Sequence, residues 1–292
     1  MVRLEKKILT ATIQNQLKDN MRIILELLAS IGLLIWSRQT PDVNFKPELE
    51  GMALAAAIAA AIELTIWIIN ERKFLRLYWS SINPFSRKEI RLTIAYLFRI
   101  EVNGKYLLVK SNRLNNTYQP VGGVYKYFHP EATQELNKLG IFPDNNIPND
   151  EDSEYDLRLK QKQKWKLKKF LNWFFENKQR ETDPWREFYE ELIVSNILDK
   201  NQFPYIHHEL VGQHYDPIHY DERFSINTFK YADIFVPKFV NHTQESLVRN
   251  LITTTSDKYI WVTEAEIRNN RSVDGKAIAP HSYKIFHNTK LN

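Results

Sequence analysis

The residues best suited to chemistry are three glutamates in the run Arg186-Glu187-Phe188-Tyr189-Glu190-Glu191-Leu192. On a helix, Glu187, Glu190 and Glu191 fall at positions i, i+3 and i+4 and therefore share one face. Like charges at these spacings repel weakly, and a solvated surface tolerates that repulsion. A hard divalent cation such as Mg²⁺ would convert the repulsion into binding. The spacing alone leaves two interpretations open, an ordinary acidic helix surface and a metal cradle.

A pair of glycines and a set of predicted strands must position that helix. Asn103-Gly104 separates two apolar runs, 92–100 and 106–110, and Asn-Gly between such runs is a strong hairpin signal. A third strand is predicted over 118–123, and it ends at Gly122-Gly123. Because glycine lets another chain segment approach closely, this pair is a candidate ligand-binding turn.

A cationic segment follows further along the chain. Residues 156–168 alternate in polarity, and this period of two predicts a strand with a cationic face. Six even positions carry cations: Arg158, Lys160, Lys162, Lys164, Lys166 and Lys168. Lysines can keep an edge strand soluble, or they can contact anions such as lipid head groups or ligand phosphates. On the second interpretation Lys160, Lys162 and Lys164 are ligand-binding residues.

The remaining patterns predict an α+β domain, a mixed sheet flanked by helices, over residues 81–292. Helices are predicted at 170–177, 185–198 and 264–269, and further strands at 209–214, 225–236 and 259–262. The chain has 292 residues and no cysteine, which excludes disulfide frameworks and cysteine metal sites. Phosphate-binding GxxxxGK[ST] and GxGxxG motifs are absent from the sequence. The net charge of +5 is compatible with anionic lipid, a nucleotide, nucleic acid or no specific partner.

Before this domain, two apolar runs predict a transmembrane hairpin over residues 21–80, preceded by a cytoplasmic segment 1–20. The runs cover 21–36 and 52–69, and as helices they would extend about 24 and 27 Å, close to the hydrocarbon thickness. A pair of buried core helices is the alternative. Lysines and arginines crowd the outer flanks of both runs, so both termini are expected to be cytoplasmic in a multi-pass protein of the bacterial inner membrane.

Each predicted span carries one carboxylate, Glu26 in the first and Glu63 in the second. Such groups are costly in lipid and need a partner or a protein surface. In the second span, Ala55, Ala59 and Glu63 repeat every four positions, and small residues at this spacing let helices pack closely. We therefore predict a helix-packing face that hides Glu63. Several copies packed in this way would line a path through the membrane.

The hairpin strands, the Pro120-Val121-Gly122-Gly123 turn, the Arg186-Glu187-x-x-Glu190-Glu191 helix and the segment Trp261-Val262-Thr263-Glu264 together resemble a Nudix domain. The resemblance implies that Glu187, Glu190 and Glu191 are metal-ligand positions and that Arg186 braces the turn before the helix. Arg186 is also predicted to be a ligand-binding residue. Counting back along the Nudix box places Lys178 where the family has a glutamate. If Gly122-Gly123 begins the box, residues 124–185 are a long insertion that splits it.

Asp183-Pro184-Trp185, together with the membrane hairpin, resembles the SMODS-associated Nudix family of two-transmembrane effectors in bacterial anti-phage CBASS systems. The resemblance implies a cytosolic sensor of a cyclic oligonucleotide made by a partner nucleotidyltransferase. Binding would assemble the hairpins into homo-oligomers in the lipid bilayer, disrupt the inner membrane and kill the cell. This sensor is expected to be non-catalytic, with no cofactor and no nucleic-acid polymer as partner. A membrane-tethered, Mg²⁺-dependent Nudix hydrolase of nucleoside diphosphate derivatives is the alternative.

Overall fold

The chain divides into two compact units, Met1–Arg76 and Leu77–Asn292. The computed structural model describes residues 28–39, 46–81, 89–144, 153–162, 166–176 and 178–287. The sequence-based boundary between residues 80 and 81 falls a few residues beyond this division. Glu26 and Lys164 lie outside the described residues.

The described part of the first unit is helical. Helix α1 is described over 28–39, and helix α2 covers Lys46–Ser81. The predicted loop over 37–50 is therefore too long, because α2 begins before its end. Pro47 is the second residue of α2, a position where a missing backbone N–H costs no hydrogen bond.

Within the described residues, one segment is long and apolar enough to cross a membrane. It covers the 21 residues Lys46–Ile66 of α2, and most of it is exposed. It overlaps the predicted span 52–69. Of the predicted first span, 21–36, the structure describes only residues 28–36, which belong to α1. The two-span hairpin is therefore not confirmed, and one such helix is weak evidence for a membrane protein.

The small residues of α2 lie on two faces. Leu49, Ala53 and Ala60 are buried. Ala55 and Ala59 are exposed, and Glu63 is half-buried. The predicted packing face is thus exposed at Ala55 and Ala59 but only partly at Glu63, and its role between copies stays a prediction.

The second unit contains two mixed sheets, which agrees with the predicted α+β class. Among the described residues, the first sheet has the order β6-β7-β1-β9-β8, with β5 also paired to β1. Its strands are β1 Ile90–Phe98, β5 Gly122–Val124, β6 Ile141–Pro143, β7 Arg158–Gln161, β8 His207–Asp221 and β9 Ile226–Lys238. Strands β1 and β9 are parallel, and the other pairs in this sheet are antiparallel.

The second sheet has the order β10-β3-β4-β11, with the short β2 paired to β3. Its strands are β2 Glu101–Val102, β3 Lys105–Lys110, β4 Thr117–Gln119, β10 Tyr259–Val262 and β11 Ala277–Ile278. The helices of this unit are α3 Glu131–Lys138, α4 Leu167–Phe175, α5 Trp185–Phe188, α6 His242–Asn250 and α7 Glu264–Arg268. A π-helix, Tyr189–Val194, continues α5, and Leu251–Thr253 and Pro280–Phe286 are 3₁₀-helices.

The Asn103-Gly104 turn is present, but the hairpin it closes is shorter than predicted. Both residues have positive φ, and they join β2 to β3. Strand β1 belongs to the other sheet. The chain changes sheet just before this turn, because the Arg99 amide bonds to Phe235 of β9 whereas the Ile100 carbonyl accepts from Leu107 of β3.

The predicted strand 118–123 is also divided between the sheets. Its first part is β4, paired to β3, and its last part is β5, paired to β1. Pro120 lies in the gap, where the absence of an N–H group suits a break in the ladder. This change of sheet places Gly122 and Gly123 at the edge of β1.

The first sheet is covered on both faces. Leu97 and Ile234 on one face pack with Leu108 and Ile260 of the second sheet. On the other face Phe98 contacts Phe188 of α5 with ring centroids 5.4 Å apart. Helix α4 contributes Phe174, whose ring lies 5.4 Å from that of Tyr125.

The cationic strand predicted over 156–168 is wrong beyond its first part. Strand β7 ends at Gln161, and α4 begins at Leu167. The buried residues of α4 repeat with helical spacing: Leu167, Phe170, Leu171 and Phe174. This helical period overlaps the alternating pattern, and burial of the aromatic face against the sheet favours the helix.

Candidate functional site

Arg186 is the centre of a charged network at the start of α5. Its Nε and Nη2 atoms donate to the two carboxylate oxygens of Glu181 at 3.0 and 3.2 Å. Nη2 also donates to the carbonyl oxygen of Val124, at the end of β5, at 3.0 Å. The guanidinium group therefore ties the helix to the strand that carries the two glycines.

The remaining nitrogen of Arg186 binds the acidic face. Its Nη1 donates to Glu187 at 2.7 Å and to Glu190 at 3.4 Å. Burial would lower the pKa of Arg186, but the hydrogen bonds to Glu181 and the nearby carboxylates raise it above the ordinary value. The predicted bracing role of Arg186 agrees with these contacts.

Gly122 and Gly123 make the space that this arrangement needs. A Cβ atom on Gly123 would overlap the carboxylate of Glu187. Gly122 has a φ of +149°, and a Cβ there would overlap the backbone of Tyr96 in β1. The glycine pair therefore lets the acidic helix and the central strand approach from opposite sides.

Glu191 points to the same glycine turn. Its Oε2 accepts from the Gly122 amide at 2.8 Å, and its Oε1 accepts from Gln119 Nε2 at 3.4 Å. Burial, and then the neighbouring Glu187, raise the pKa of Glu191 to about 8. The structure thus holds a carboxyl group whose negative charge is not fully compensated by the chain.

The predicted helix over 185–198 takes a different form. The α-helix ends at Phe188, and a π-helix carries Glu190 and Glu191 through Val194. Wide π turns are rare and occur often at functional sites. Glu187 and Glu190 converge on Arg186, whereas Glu191 bonds to Gly122, so the three carboxylates serve two different partners.

The donor set fits a divalent cation in its chemistry. Carboxylate oxygens are the ligands that Mg²⁺ prefers, and a cation could replace the proton favoured by the raised pKa of Glu191. In the described part of the chain, however, no three His, Cys, Asp or Glu side chains form a group that could hold a metal ion. Glu187 and Glu190 would have to turn from Arg186 to become ligands.

Glu181 is the residue that sequence analysis missed. Counting back along the box pointed to Lys178, but the Lys178 ammonium is exposed and lies 3.9 Å from Glu176. The Lys178 ammonium thus lies near Glu176, and Glu181 is the acid that meets Arg186. Glu181 could not be found by counting, because the insertion changes the spacing between the glycines and Arg186.

Two of the predicted ligand-binding lysines, Lys160 and Lys162, lie at the β6–β7 edge. Lys160 pairs with the buried Asp144 at 3.4 Å, and Asp144 also accepts from Arg91 Nε at 2.5 Å. Lys162 places its ammonium 5.3 Å from the centre of the Phe142 ring. Their contacts are with residues next to β7, whereas Gly122, Gly123 and Arg186 meet at α5.

Two mixed sheets, with an Arg-Glu-x-x-Glu-Glu helix held against a Gly-Gly strand, define a Nudix-like domain. Residues 89–286 match the model of the SMODS-associated NUDIX domain, and the chain belongs to this family. The family name associates it with SMODS nucleotidyltransferase systems. No curated protein and no solved structure gives a significant match to the chain.

Proposed function

We propose that the protein is a nucleotide-gated membrane effector of bacterial anti-phage defence. Its Nudix-like domain binds a cyclic oligonucleotide made by a partner nucleotidyltransferase. Binding assembles several copies through their membrane helices, disrupts the inner membrane and kills the infected cell. The observation that carries this proposal is a SMODS-associated Nudix domain in one chain with a helix long and apolar enough to cross a membrane.

The membrane part of the proposal assigns a multi-pass topology with both termini in the cytoplasm. The exposed Ala55 and Ala59 supply the contact between copies, and Glu63 lines the resulting path. Moving a switch from 1:99 to 99:1 requires about 5.5 kcal/mol of differential affinity. Charge-assisted hydrogen bonds between ligand phosphates and cationic side chains are strong enough to contribute much of it.

Dye release from vesicles tests this gating. The full chain is reconstituted in vesicles of anionic lipid, and cyclic di- and trinucleotides of adenosine and guanosine are added. One of these probes is expected to release the dye, and Ala59→Leu to reduce release without changing nucleotide binding. Ala61→Leu is the matched control, since the same change lies about 200° around the helix from Ala59. Equal release by both variants would contradict assembly through this face.

A membrane-tethered Nudix hydrolase is the second candidate, and the carboxyl group of Glu191 favours it. On this proposal Glu187, Glu190 and Glu191 hold Mg²⁺, while Arg186 and Glu181 keep the helix against the glycine turn. When bound, the metal would neutralise charge on the substrate diphosphate and activate water. Hydrolysis of ADP-ribose that needs Mg²⁺ and disappears in Glu191→Gln would support the hydrolase. Dye release that survives Glu190→Gln, with no hydrolysis by the wild type, would support the sensor.

A further inference from the structure

We propose that the insertion between the Gly-Gly strand and Arg186 builds a pocket for the base of a nucleotide. The inference rests on the proposed function, because it locates the ligand of the same sensor. An open cleft of about 450 Å³ lies beside Arg186 and Glu181. Except for Arg186, its lining residues all come from the insertion, and besides Glu181 they are Lys126, Tyr127, Phe128, His129 and Tyr155. Small-molecule sites commonly have volumes of this size.

The walls contributed by the insertion are mainly aromatic. His129 stacks on Tyr155 with ring centroids 5.3 Å apart and planes inclined by 18°. Tyr127 meets the same Tyr155 ring edge-on, at 5.6 Å and 83°. Phe128 is 53% exposed. Proteins bind unpaired bases by stacking them on such exposed rings, because every base has a flat aromatic face.

The aromatic residues are held in place by the backbone around them. The Tyr127 amide donates to the Tyr155 carbonyl at 2.9 Å, and the Phe128 amide donates to the Gln179 carbonyl at 2.8 Å. The Nδ1 atom of His129 lies 3.0 Å from the Thr133 hydroxyl, which fixes the orientation of the ring. A pocket that is already formed loses less conformational entropy when a ligand binds.

The charges at the cleft suit a phosphate next to the base. Within the described part of the chain, the Lys126 ammonium forms no ion pair, and Lys126 donates its backbone amide to Glu181 at 3.3 Å. The carboxylate of Glu181 is paired with Arg186 through both oxygens, so it repels an incoming phosphate only weakly. Lys126 is therefore the cation for the phosphate, and the aromatic rings take the base.

Calorimetry of the full chain in detergent tests the pocket. The probes are AMP, the cyclic dinucleotides of adenosine and guanosine, and ribose 5-phosphate as a control without a base. Phe128→Ala and His129→Ala are expected to weaken nucleotide binding about 5- to 150-fold each, as loss of one stacked ring does, and to leave ribose 5-phosphate unaffected. Tyr220→Ala and His242→Ala, at exposed aromatic positions outside the cleft, should bind like the wild type.

Two further variants separate the base from the phosphate. Tyr155→Phe keeps the stacked ring and is expected to retain wild-type affinity. Lys126→Gln is expected to weaken every probe that carries a phosphate and to reduce the salt dependence of binding.

The outcomes distinguish the pocket from the sensor function. If the wild type binds a nucleotide and both Phe128→Ala and His129→Ala bind it equally well, the pocket is wrong and the sensor remains. Equal losses for ribose 5-phosphate would also overturn the pocket, because the rings would not be recognising a base. If the wild type binds no nucleotide, the sensor function fails and the pocket fails with it.

Discussion

Two charged regions of the Nudix-like domain satisfy their charges in different ways. At the β6–β7 edge, the buried Asp144 receives both Arg91 and Lys160, so that the carboxylate and the cations share one enclosed cluster. At α5, Arg186 receives several carboxylates, but Glu191 is left to an amide and a glutamine. In the first region Asp144, Arg91 and Lys160 pair with one another, whereas the second region retains Glu191, an acid with a raised pKa. A region left incomplete in this way is the better candidate for a ligand, a proton or a metal.

Removing the carboxylate of Asp144 should have the largest effect on the stability of the protein. In Asp144→Asn the guanidinium of Arg91, only 3% exposed, loses its ionic partner, so we expect a loss of about 3–5 kcal/mol in the free energy of unfolding. Urea unfolding followed by circular dichroism measures it. Glu245→Gln, which breaks an exposed pair with Arg249, is the control and should cost less than about 0.5 kcal/mol. Similar losses in the two variants would contradict the contrast between enclosed and exposed pairs.

In the region at α5, Glu191 should make the stability of the protein depend on pH. Burial holds the folded pKa of Glu191 at about 8, above its usual 4.5, so the folded state holds a proton that the unfolded state releases. The resulting stability is present below pH 4.5 and is lost as pH rises toward 8, by on the order of 2–4 kcal/mol. Glu191→Gln cannot ionise and should lose less stability over this range.

The same titration, repeated with Mg²⁺, tests the metal interpretation. A bound cation would stabilise ionised Glu191, so Mg²⁺ should reduce the loss of stability near pH 8 in the wild type and not in Glu191→Gln. If the two proteins have the same pH profile without metal, Glu191 does not carry the raised pKa.

Replacing the forked guanidinium group of Arg186 should have a smaller effect on stability. Arg186→Lys keeps the charge but cannot bind both oxygens of Glu181 and the Val124 carbonyl at once. We expect a loss of about 1–2 kcal/mol in the free energy of unfolding, since the side chain is 23% exposed and part of the interaction is screened. Arg249→Lys, at an exposed pair, is the matched control. A loss equal to that control would show that charge alone holds the network.

The sequence predicted single elements better than their arrangement. Strand β10 was predicted with its observed bounds, and the helix that begins at Trp185 was predicted at its start. Periodicity cannot tell which sheet a strand joins, so the change of sheet at Pro120 was missed. The aromatic pocket was missed for a similar reason, because His129 and Tyr155 are far apart in the sequence and meet only through backbone pairing.

Lys178 should show the smallest effect, and it tests how the family pattern maps onto this chain. Counting along the box makes Lys178 the equivalent of a glutamate, whereas the carboxylate that pairs with Arg186 in the structure is that of Glu181. Because the Lys178 side chain is 60% exposed, Lys178→Glu should change the free energy of unfolding by less than about 0.5 kcal/mol and should not change Mg²⁺ affinity. Glu181→Gln, by contrast, should destabilise the protein measurably, since it removes the ionic partner of Arg186. If Lys178→Glu instead creates Mg²⁺ binding, residue 178 does occupy the glutamate position of the Nudix box. The Arg186–Glu181 pair then serves only to stabilise the fold.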